Sequence, residues 1–386
     1  MAMLLQMTTF LQQYLYEKGH ERPKSPDALC IGVLSTAMIN AAAILRPALS
    51  HGDVLISAIA SRNLKQAQDD AAKYGIPKAY GSYDELLNEP GIDAVYISLP
   101  NGLHGKWAKK ALHAGKHVLL EKPFTANADE AREITKLAQE KNLVLLEAFH
   151  WQFHPAAHAV KALLDSGKYG PILHTYARMT SLKGSIPRSD IRWSYPLAGG
   201  SLMDMTYVVS ATRYFLGAGA PREVVAAQAR RTREDPRVDE AMHATLRYDV
   251  GGRMVEGGIY SDMDRANLFG IVPRAWEMPS IEIETEHATI YFYNFMMPHL
   301  YHYVQIYDKR TGATHTEKYY SGGPLWGARG EAWWSTYRYQ LEAFVDKVRG
   351  REPVHWVTLE SSVAQMETID AIYEKAGLGK RQPTPE

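Results

Sequence analysis

The stretch DAVYISLPNGLHGKWAKKALHAGKHVLLEKPFTANADEAREI, residues 93–134, decides the fold. Two apolar runs, DAVYISLP and HVLLEKP, bracket HGKWAKKALHAG, an amphipathic helix that Gly115 closes. Val118–Leu120 end the second run, and Pro123 then fixes φ and removes a backbone donor, so the chain turns. Thr125 or Asn127 caps the next helix, whose first turn carries Asp129 and Glu130. Strand, helix, strand and helix in this order form a parallel unit. Lys122 therefore stands at the carboxyl end of a parallel strand, where such sheets keep their ligands. Taken alone, it reads by default as a solvent-facing loop lysine paired with Glu121.

The same alternation extends on both sides. ALCIGVL (28–34), VLISAIA (54–60) and LVLLEAF (143–149) read as buried strands. MINAAAILRPAL (38–49), LKQAQDDAAKYG (64–75) and SYDELLNE (82–89) read as helices, the second closed by Gly75 and the third starting near Ser82. Residues 29–150 are thus a Rossmann-type, doubly wound parallel-sheet domain. Beyond Phe149 the period changes. ILHTYARMTSL, EVVAAQARR, AMHATLRYDV, RMVEGGIYS, SIEIETEHATIYFYN and YHYVQIYDK alternate in polarity, as strands of an open, mostly antiparallel sheet do. GGSLMDMTYVVSATRYFLG (199–217) interrupts them as one helix. Residues 151–355 form this α+β domain, and helices near Glu331–Arg349 and Leu359–Ala376 end the chain. Residues 356–386 are free to return to the first domain. Residues 1–28 form an extension in which Leu4, Leu5, Phe10, Leu11 and Leu15 make a helical stripe, followed by the loose linker ERPKSPDA.

Composition narrows the function. The 386 residues suffice for about two domains, and 46% hydrophobic with 22% charged residues are ordinary globular values. Forty-three basic residues balance forty-three acidic ones, which leaves no electrostatic footprint for nucleic acid. The single Cys30 excludes an intrachain disulfide and a thiolate metal cluster, and fits a reducing, cytoplasmic setting. No apolar run is long enough to span a membrane, and the amino terminus lacks the basic region and cleavage site of a signal peptide.

At the end of the first strand a glycine fingerprint is expected, and the chain instead has STAMIN, with Ser35, Thr36, Ala37, Met38 and Ile39 leading into Asn40. Ser and Ala are small enough for close backbone approach, and the free amides of a helix start suit a pyrophosphate. After the second strand stand Ser61, Arg62 and Asn63, where a carboxylate would take the ribose hydroxyls of NAD. An arginine cannot accept from that diol but pairs with a 2′-phosphate, so a bound dinucleotide would be NADP. Leu99, Pro100, Asn101 and His104 follow another strand end and either shape the nicotinamide pocket or only turn and cap the chain.

The quoted stretch, with LLEAFHWQFHPAAHAVKALLDSGKYGPI, closely resembles the glucose–fructose oxidoreductase / inositol dehydrogenase (Gfo/Idh/MocA) family, most of all its NADP-dependent D-xylose and dihydrodiol dehydrogenase branch. The resemblance spans about residues 29–376. It implies an active site between the nucleotide domain and the open sheet, with Lys122 beside the reacting oxygen, Glu121 among the cofactor contacts and a lysine–proline bond that is often cis. It also implies a glycine pair, an aspartate and, four residues later, His or Tyr. Here Gly199, Gly200 and Asp204 match, but Val208 occupies the fourth place and the tyrosine is Tyr207. Relatives often carry an aromatic residue and an arginine where this chain has His150, Trp151 and Gln152. Arg192 and Trp193 resemble the loop bordering substrate or cofactor, and relatives often pair subunits through the open sheet, which implies a homodimer.

The expected chemistry is hydride transfer by the cofactor with one proton managed by the protein. Tyr207 would take the hydroxyl proton with its phenol made more acidic by Lys122, Asp204 on the same helix would orient Lys122 or hold a substrate hydroxyl, and His150 is a second proton handler. Three functions are compatible: oxidation of an aldose such as D-xylose at C1, turnover of another carbonyl or diol, or a non-catalytic NADP sensor. No metal site is expected. His154 and His158 share a helical spacing, but His154 precedes Pro155 and reads as a cap.

Overall fold

A computed structural model describes residues 19–385. The amphipathic stripe read in residues 4–15 lies outside the described residues. Strands β1 (Leu29–Leu34), β2 (Val54–Ala60), β3 (Lys78–Tyr80), β4 (Ala94–Ile97), β5 (His117–Leu120) and β6 (Leu145–Glu147) form one parallel sheet. Their order is β3-β2-β1-β4-β5-β6, so the winding reverses between β1 and β4 and opens a crevice at their carboxyl ends. The three-residue β3 was too short to show a period in the sequence.

Local signals explain the helices. Asn63 accepts from the Lys65 and Gln66 amides, and Gly75 ends that helix at φ 69°. Asn127 caps the helix Ala128–Lys141 by accepting from Asp129 and Glu130, whereas the Thr125 hydroxyl donates to the Asn127 carbonyl at 2.7 Å. His154 caps the helix Pro155–Asp165. After β1 the chain makes wide π turns over Ala41–Leu45 before Arg46–Leu49. Pro47 has no amide to donate back to Ala43, which accounts for the widened turns before it.

The second sheet comprises β7 (Ile172–Leu182), β8 (Glu223–Arg231), β9 (Asp239–Val250), β10 (Arg253–Arg265), β11 (Ser280–Thr285), β12 (Ala288–Tyr293), β13 (Tyr303–Asp308) and β14 (Ala313–Glu317). Its order is β14-β13-β12-β11-β7-β10-β9-β8, antiparallel except for β7 with β10. The run SIEIETEHATIYFYN is a hairpin rather than one strand. Thr285 Oγ1 bonds both the amide and the carbonyl of Ala288 and closes the turn at Glu286 and His287. The exposed edge strand β14 has no apolar alternation and was not read. One face of the sheet is buried beneath the helix Tyr207–Leu216 through Ala177, Ile259 and Ile281. The other face presents Tyr176, Arg178, Tyr291, Tyr293, Tyr303 and Tyr307, all at least partly exposed.

Two terminal helices return to the nucleotide domain. In Thr336–Val348, Arg338 Nε donates to Ser50 Oγ at 3.1 Å, so the chain crosses back before the boundary at 355 drawn from the sequence. In Leu359–Lys375, Asp370 accepts the Ala128 amide at 2.9 Å and Glu367 pairs with Arg132 at 2.6 Å.

Candidate active site

The crevice between β1 and β4 continues into a single trough. Its first part, about 500 Å³, is lined by Ser35, Thr36, Ala37, Ser61, Arg62, Asn63, Gln66 and Pro100 among others, with no carboxylate. Its second part, about 510 Å³, holds Met38, Ile39, Asn101, Glu121, Lys122, Arg192, Asp204, Tyr207 and Tyr337. Ala37, Ser98, Leu99 and Ile191 line both parts.

The glycine-poor turn after β1 is held by side chains. Ser35 adopts φ 136°, a conformation that usually demands glycine. Its Oγ lies 2.7 Å from Ser98 Oγ and accepts the Ala37 amide at 3.1 Å, while Asn40 Nδ2 donates to the Ser35 carbonyl at 2.8 Å. Ser98 Oγ in turn donates to Asn40 Oδ1 at 2.6 Å. Asn40 was read only as the residue in the third fingerprint place and Ser98 was not read at all, because polar locks of this kind have no period. The amides of Thr36, Met38 and Ile39 make no hydrogen bond among the described residues. Beside the exposed Arg62 lies the Tyr83 hydroxyl.

At the far end, the Lys122–Pro123 bond is cis. Lys122 Nζ donates to the Asp204 carbonyl at 2.8 Å and to Asp204 Oδ1 at 3.4 Å. Asp204 Oδ1 also meets Arg192 Nε at 3.0 Å, and Arg192 Nη1 meets Asp190 at 3.0 Å. Burial would raise the Asp204 carboxyl, but Lys122 and Arg192 outweigh it and hold it below the usual range. Burial raises the Glu121 carboxyl, which accepts from Tyr96 Oη at 2.7 Å and from the Lys122 amide at 3.2 Å.

Asp204 and Tyr207 do not share a helix. One helix ends at Ser201–Asp204 and the next begins at Tyr207. The Val208 amide bonds Met205 O at 3.2 Å, which leaves the Asp204 carbonyl to Lys122. Gly200 turns the chain into the first helix at φ 137°, where a Cβ would stand 2.1 Å from Asp239 Oδ1. Tyr207 still reaches the trough, and its hydroxyl lies 3.0 Å from His150 Nε2. The expected acidic phenol is not found. Burial, followed by Tyr337 and Glu121, pushes it well above its usual value, and the Lys122 ammonium sits 5.1 Å from the ring centroid while bonded to Asp204. His150 Nδ1 lies 2.8 Å from Thr336 Oγ1, and its ring packs 3.9 Å from Tyr337.

Two residues expected at the cofactor lie elsewhere. His104 is fully buried, with its ring nitrogens 2.7 Å from the Leu99 and Pro123 carbonyls, so it ties β4 to the turn that carries Lys122. Burial pushes it down to about 4. Trp193 lies off the trough beneath Arg188, whose guanidinium is 4.3 Å from the ring. Met179 was missed, whereas Met296, Met297, Thr336 and Tyr337 lie in YNFMMPHLYHYVQIY and LWGARGEAWWSTYRY, two aromatic-rich stretches that the sequence offers as lining of a pocket or a subunit interface without giving these residues a role. They come from β7, the loop between β12 and β13, and a terminal helix, and no local pattern assigns their individual roles.

Residues 26–149 match the family described as "Oxidoreductase family, NAD-binding Rossmann fold", and residues 157–257 match the "GFO/IDH/MocA C-terminal domain". Over 356 residues the chain is 34% identical to "D-xylose 1-dehydrogenase (NADP(+)) 2" of Haloferax volcanii, covering 91% of this chain and 98% of the relative. The chain belongs to the Gfo/Idh/MocA oxidoreductase family. Another member, a dTDP-3,4-didehydro-2,6-dideoxy-alpha-D-glucose 3-reductase of Actinomadura kijaniata, is 33% identical over 66% of this chain and 76% of its own. A 3-ketoreductase from that organism, solved with NADP and TDP-benzene, superposes with a TM-score of 0.75 at 25% identity, covering 90% of this chain and 98% of the other. The donor set of the trough fits the family's dinucleotide. Three unengaged amides lie at a helix start, and an arginine without a neighbouring carboxylate lies at the ribose end.

Proposed function

We propose that the chain is an NADP-dependent dehydrogenase that oxidises an aldose such as D-xylose at C1 to the lactone. The observation that carries this reading is that Lys122, Asp204 and Tyr207 meet in the trough whose other end offers Arg62 and no carboxylate. The relative that matches almost end to end carries the D-xylose name. A bound nicotinamide would supply the hydride acceptor. Thr36, Met38 and Ile39 would hold its pyrophosphate on their amides, and Ser61, Arg62 and Asn63 would hold a 2′-phosphate. Lys122, oriented by Asp204, neutralises charge growing on the substrate oxygen. Tyr207 takes the hydroxyl proton, with His150 behind it. A homodimer through the tyrosine-rich face of the second sheet goes with this reading.

A second reading, reduction of a keto-sugar, is favoured by Met179, Met296 and Met297 in the substrate half of the trough, since methionine surfaces adapt to larger ligands. Initial rates with NADP⁺ and NAD⁺ against pentoses, hexoses and aromatic diols, followed by NADPH absorbance, separate the two. The reverse assay uses keto-sugars with NADPH. D-Xylose turnover that survives unchanged in Lys122→Met would overturn the mechanism, and failure to bind NADP would overturn the whole reading. Sedimentation of the wild type as a monomer would remove the dimer.

A further inference from the structure

The row of hydrogen bonds behind Tyr207 begins at one backbone amide, whose direction is fixed. Thr336 is the first residue of its helix, so its N–H has no carbonyl partner within the helix. That N–H donates to His299 Nδ1 at 3.4 Å. An amide can only donate, so His299 Nδ1 is bare and its ring proton sits on Nε2. The Thr336 hydroxyl is 3.3 Å from the same bare nitrogen, and a hydrogen bond there needs the hydroxyl to donate. Thr336 Oγ1 has one hydrogen, so with that hydrogen on His299 it accepts at its 2.8 Å contact with His150 Nδ1. In that arrangement His150 carries its proton on Nδ1 and leaves Nε2 bare, so the Tyr207 hydroxyl, 3.0 Å from Nε2, donates to it.

Burial keeps this row neutral at rest. It pushes His299 down to about 3 and His150 well below its usual value, the latter aided by His299 and Lys122. Thr336 is wholly buried, His150 is 1% exposed, and the ring of Tyr337 covers His150. Water therefore does not scramble the row.

We infer that Thr336 and His299 are positioning residues that lock His150 as its Nδ1–H tautomer and so make Tyr207 an acceptor toward the substrate. With its hydrogen turned to His150, Tyr207 presents lone pairs to the trough. It then pairs with a substrate hydroxyl, which can donate, and not with a carbonyl, which cannot. This rests on the dehydrogenase reading and deepens it, by favouring alcohol or lactol substrates over ketones in the ground state. As hydride leaves the substrate carbon for the nicotinamide, the substrate O–H bond breaks and its proton joins the Tyr207 oxygen. The Tyr207 O–H bond breaks in turn and that proton joins His150 Nε2. One proton and one hydride leave the substrate, and the imidazolium keeps its Nδ1–H bond to Thr336. A ring so disposed to neutrality returns the proton through Tyr207 when product leaves and water enters.

Histidine-selective ¹⁵N NMR of the wild-type chain tests the lock without any turnover. The expected pattern is His150 protonated on Nδ1 and His299 on Nε2, and the opposite pattern at either ring overturns the inference. Thr336→Val removes the hydroxyl and keeps the shape. It should lower kcat for oxidation about tenfold or more, leave the KM for NADP unchanged, and release the His150 tautomer in the same spectrum. Thr336→Ser, which restores the hydroxyl, should recover most of the rate. A Thr336→Val rate equal to wild type, alongside an inactive Lys122→Met, sinks the positioning role and leaves the dehydrogenase standing. Absence of turnover in wild type with the expected tautomers sinks the dehydrogenase reading instead.

Discussion

Replacing Arg381 by methionine tests how the glycine turn that aims Asp204 is held. Arg381 and Asp239 are both fully buried, with Nη2 2.7 Å from Oδ1. Arg381 Nε also donates to the Gly199 carbonyl at 2.9 Å, and its guanidinium lies 3.8 Å over Tyr373. Removing one partner of a buried pair strands the other charge and costs about 3–5 kcal/mol. Asp239 would keep the Ser201 hydroxyl at 2.7 Å, the Leu202 amide at 2.8 Å and the Tyr373 hydroxyl at 2.8 Å, so the low end applies. Unfolding entropy for a chain of 386 residues is roughly 0.8 kcal/mol per kelvin, so about 3 kcal/mol lowers Tm by about 4 °C. Arg381→Lys should fall nearly as far, because an ammonium cannot serve Gly199 and Asp239 in one plane while stacked on Tyr373. Adding Asp239→Asn to Arg381→Met should recover part of the loss, since no charge is then left unpaired. Differential scanning calorimetry reads all three. A midpoint for Arg381→Met within about 1 °C of wild type would refute the reasoning.

Three further outcomes are expected. Arg62→Asp should raise the KM for NADP by about 30-fold, the worth of roughly 2 kcal/mol in charge-assisted bonds. NAD should be used as well or better, and an unchanged NADP/NAD ratio in initial rates would show that Arg62 does not meet the 2′-phosphate. Glu147, wholly buried at the end of β6, is pushed up by burial to about 8, against the pull of the Ser362 hydroxyl and Arg213. Its folded form binds a proton that the unfolded chain releases near 4.5, so stability falls as pH rises between those values. Glu147→Gln should flatten that fall by on the order of 3 kcal/mol in urea titrations from about pH 5 to 8, and parallel curves for the two proteins would count against it. Gly200→Ala must hold φ 137° with its Cβ 2.1 Å from Asp239 Oδ1. A loss of at least about 3 kcal/mol should appear as a lowered thermal midpoint, and a wild-type midpoint would contradict the strain argument.

The alternation of apolar runs and capped helices made the nucleotide domain legible, because each parallel strand is buried on both faces and each helix carries its own stop signal. Lys122 and Arg62 were legible for the same reason, since each follows a strand whose end the pattern places at the crevice. For residues brought in from afar the sequence offered aromatic-rich stretches as pocket or interface lining, but not the individual roles. Tyr337 and Thr336 reach His150 across nearly two hundred positions of sequence, and Met296 and Met297 enter from the hairpin side of the second sheet. His104 misled because its position suits a ligand, whereas only packing shows both ring nitrogens against backbone carbonyls. Nor does any period separate SIEIETEHATIYFYN into two strands. The turn is made by a single hydroxyl, Thr285, that bonds across Glu286 and His287.

The valine four places beyond Asp204 finds its explanation in the broken helix. Had the helix run on unbroken, the Val208 amide would have taken the Asp204 carbonyl, and Tyr207 would have turned with the intact spiral. Instead the amide turns to Met205 O, and a second polar group supports the break. Gln365 Nε2 donates to the Thr206 carbonyl at 3.0 Å and to its hydroxyl at 2.8 Å. The freed carbonyl of Asp204 becomes the closest partner of Lys122, nearer than the Asp204 carboxylate at 3.4 Å. A spacing one residue short thus moves the lysine's anchor from side chain toward backbone and swings Tyr207 onto His150. Asp204 then gives orientation through its main chain, so Asp204→Asn should impair turnover less than Lys122→Met does. A kcat for Asp204→Asn as low as that of Lys122→Met would show that the carboxylate, not the carbonyl, sets the position of the ammonium.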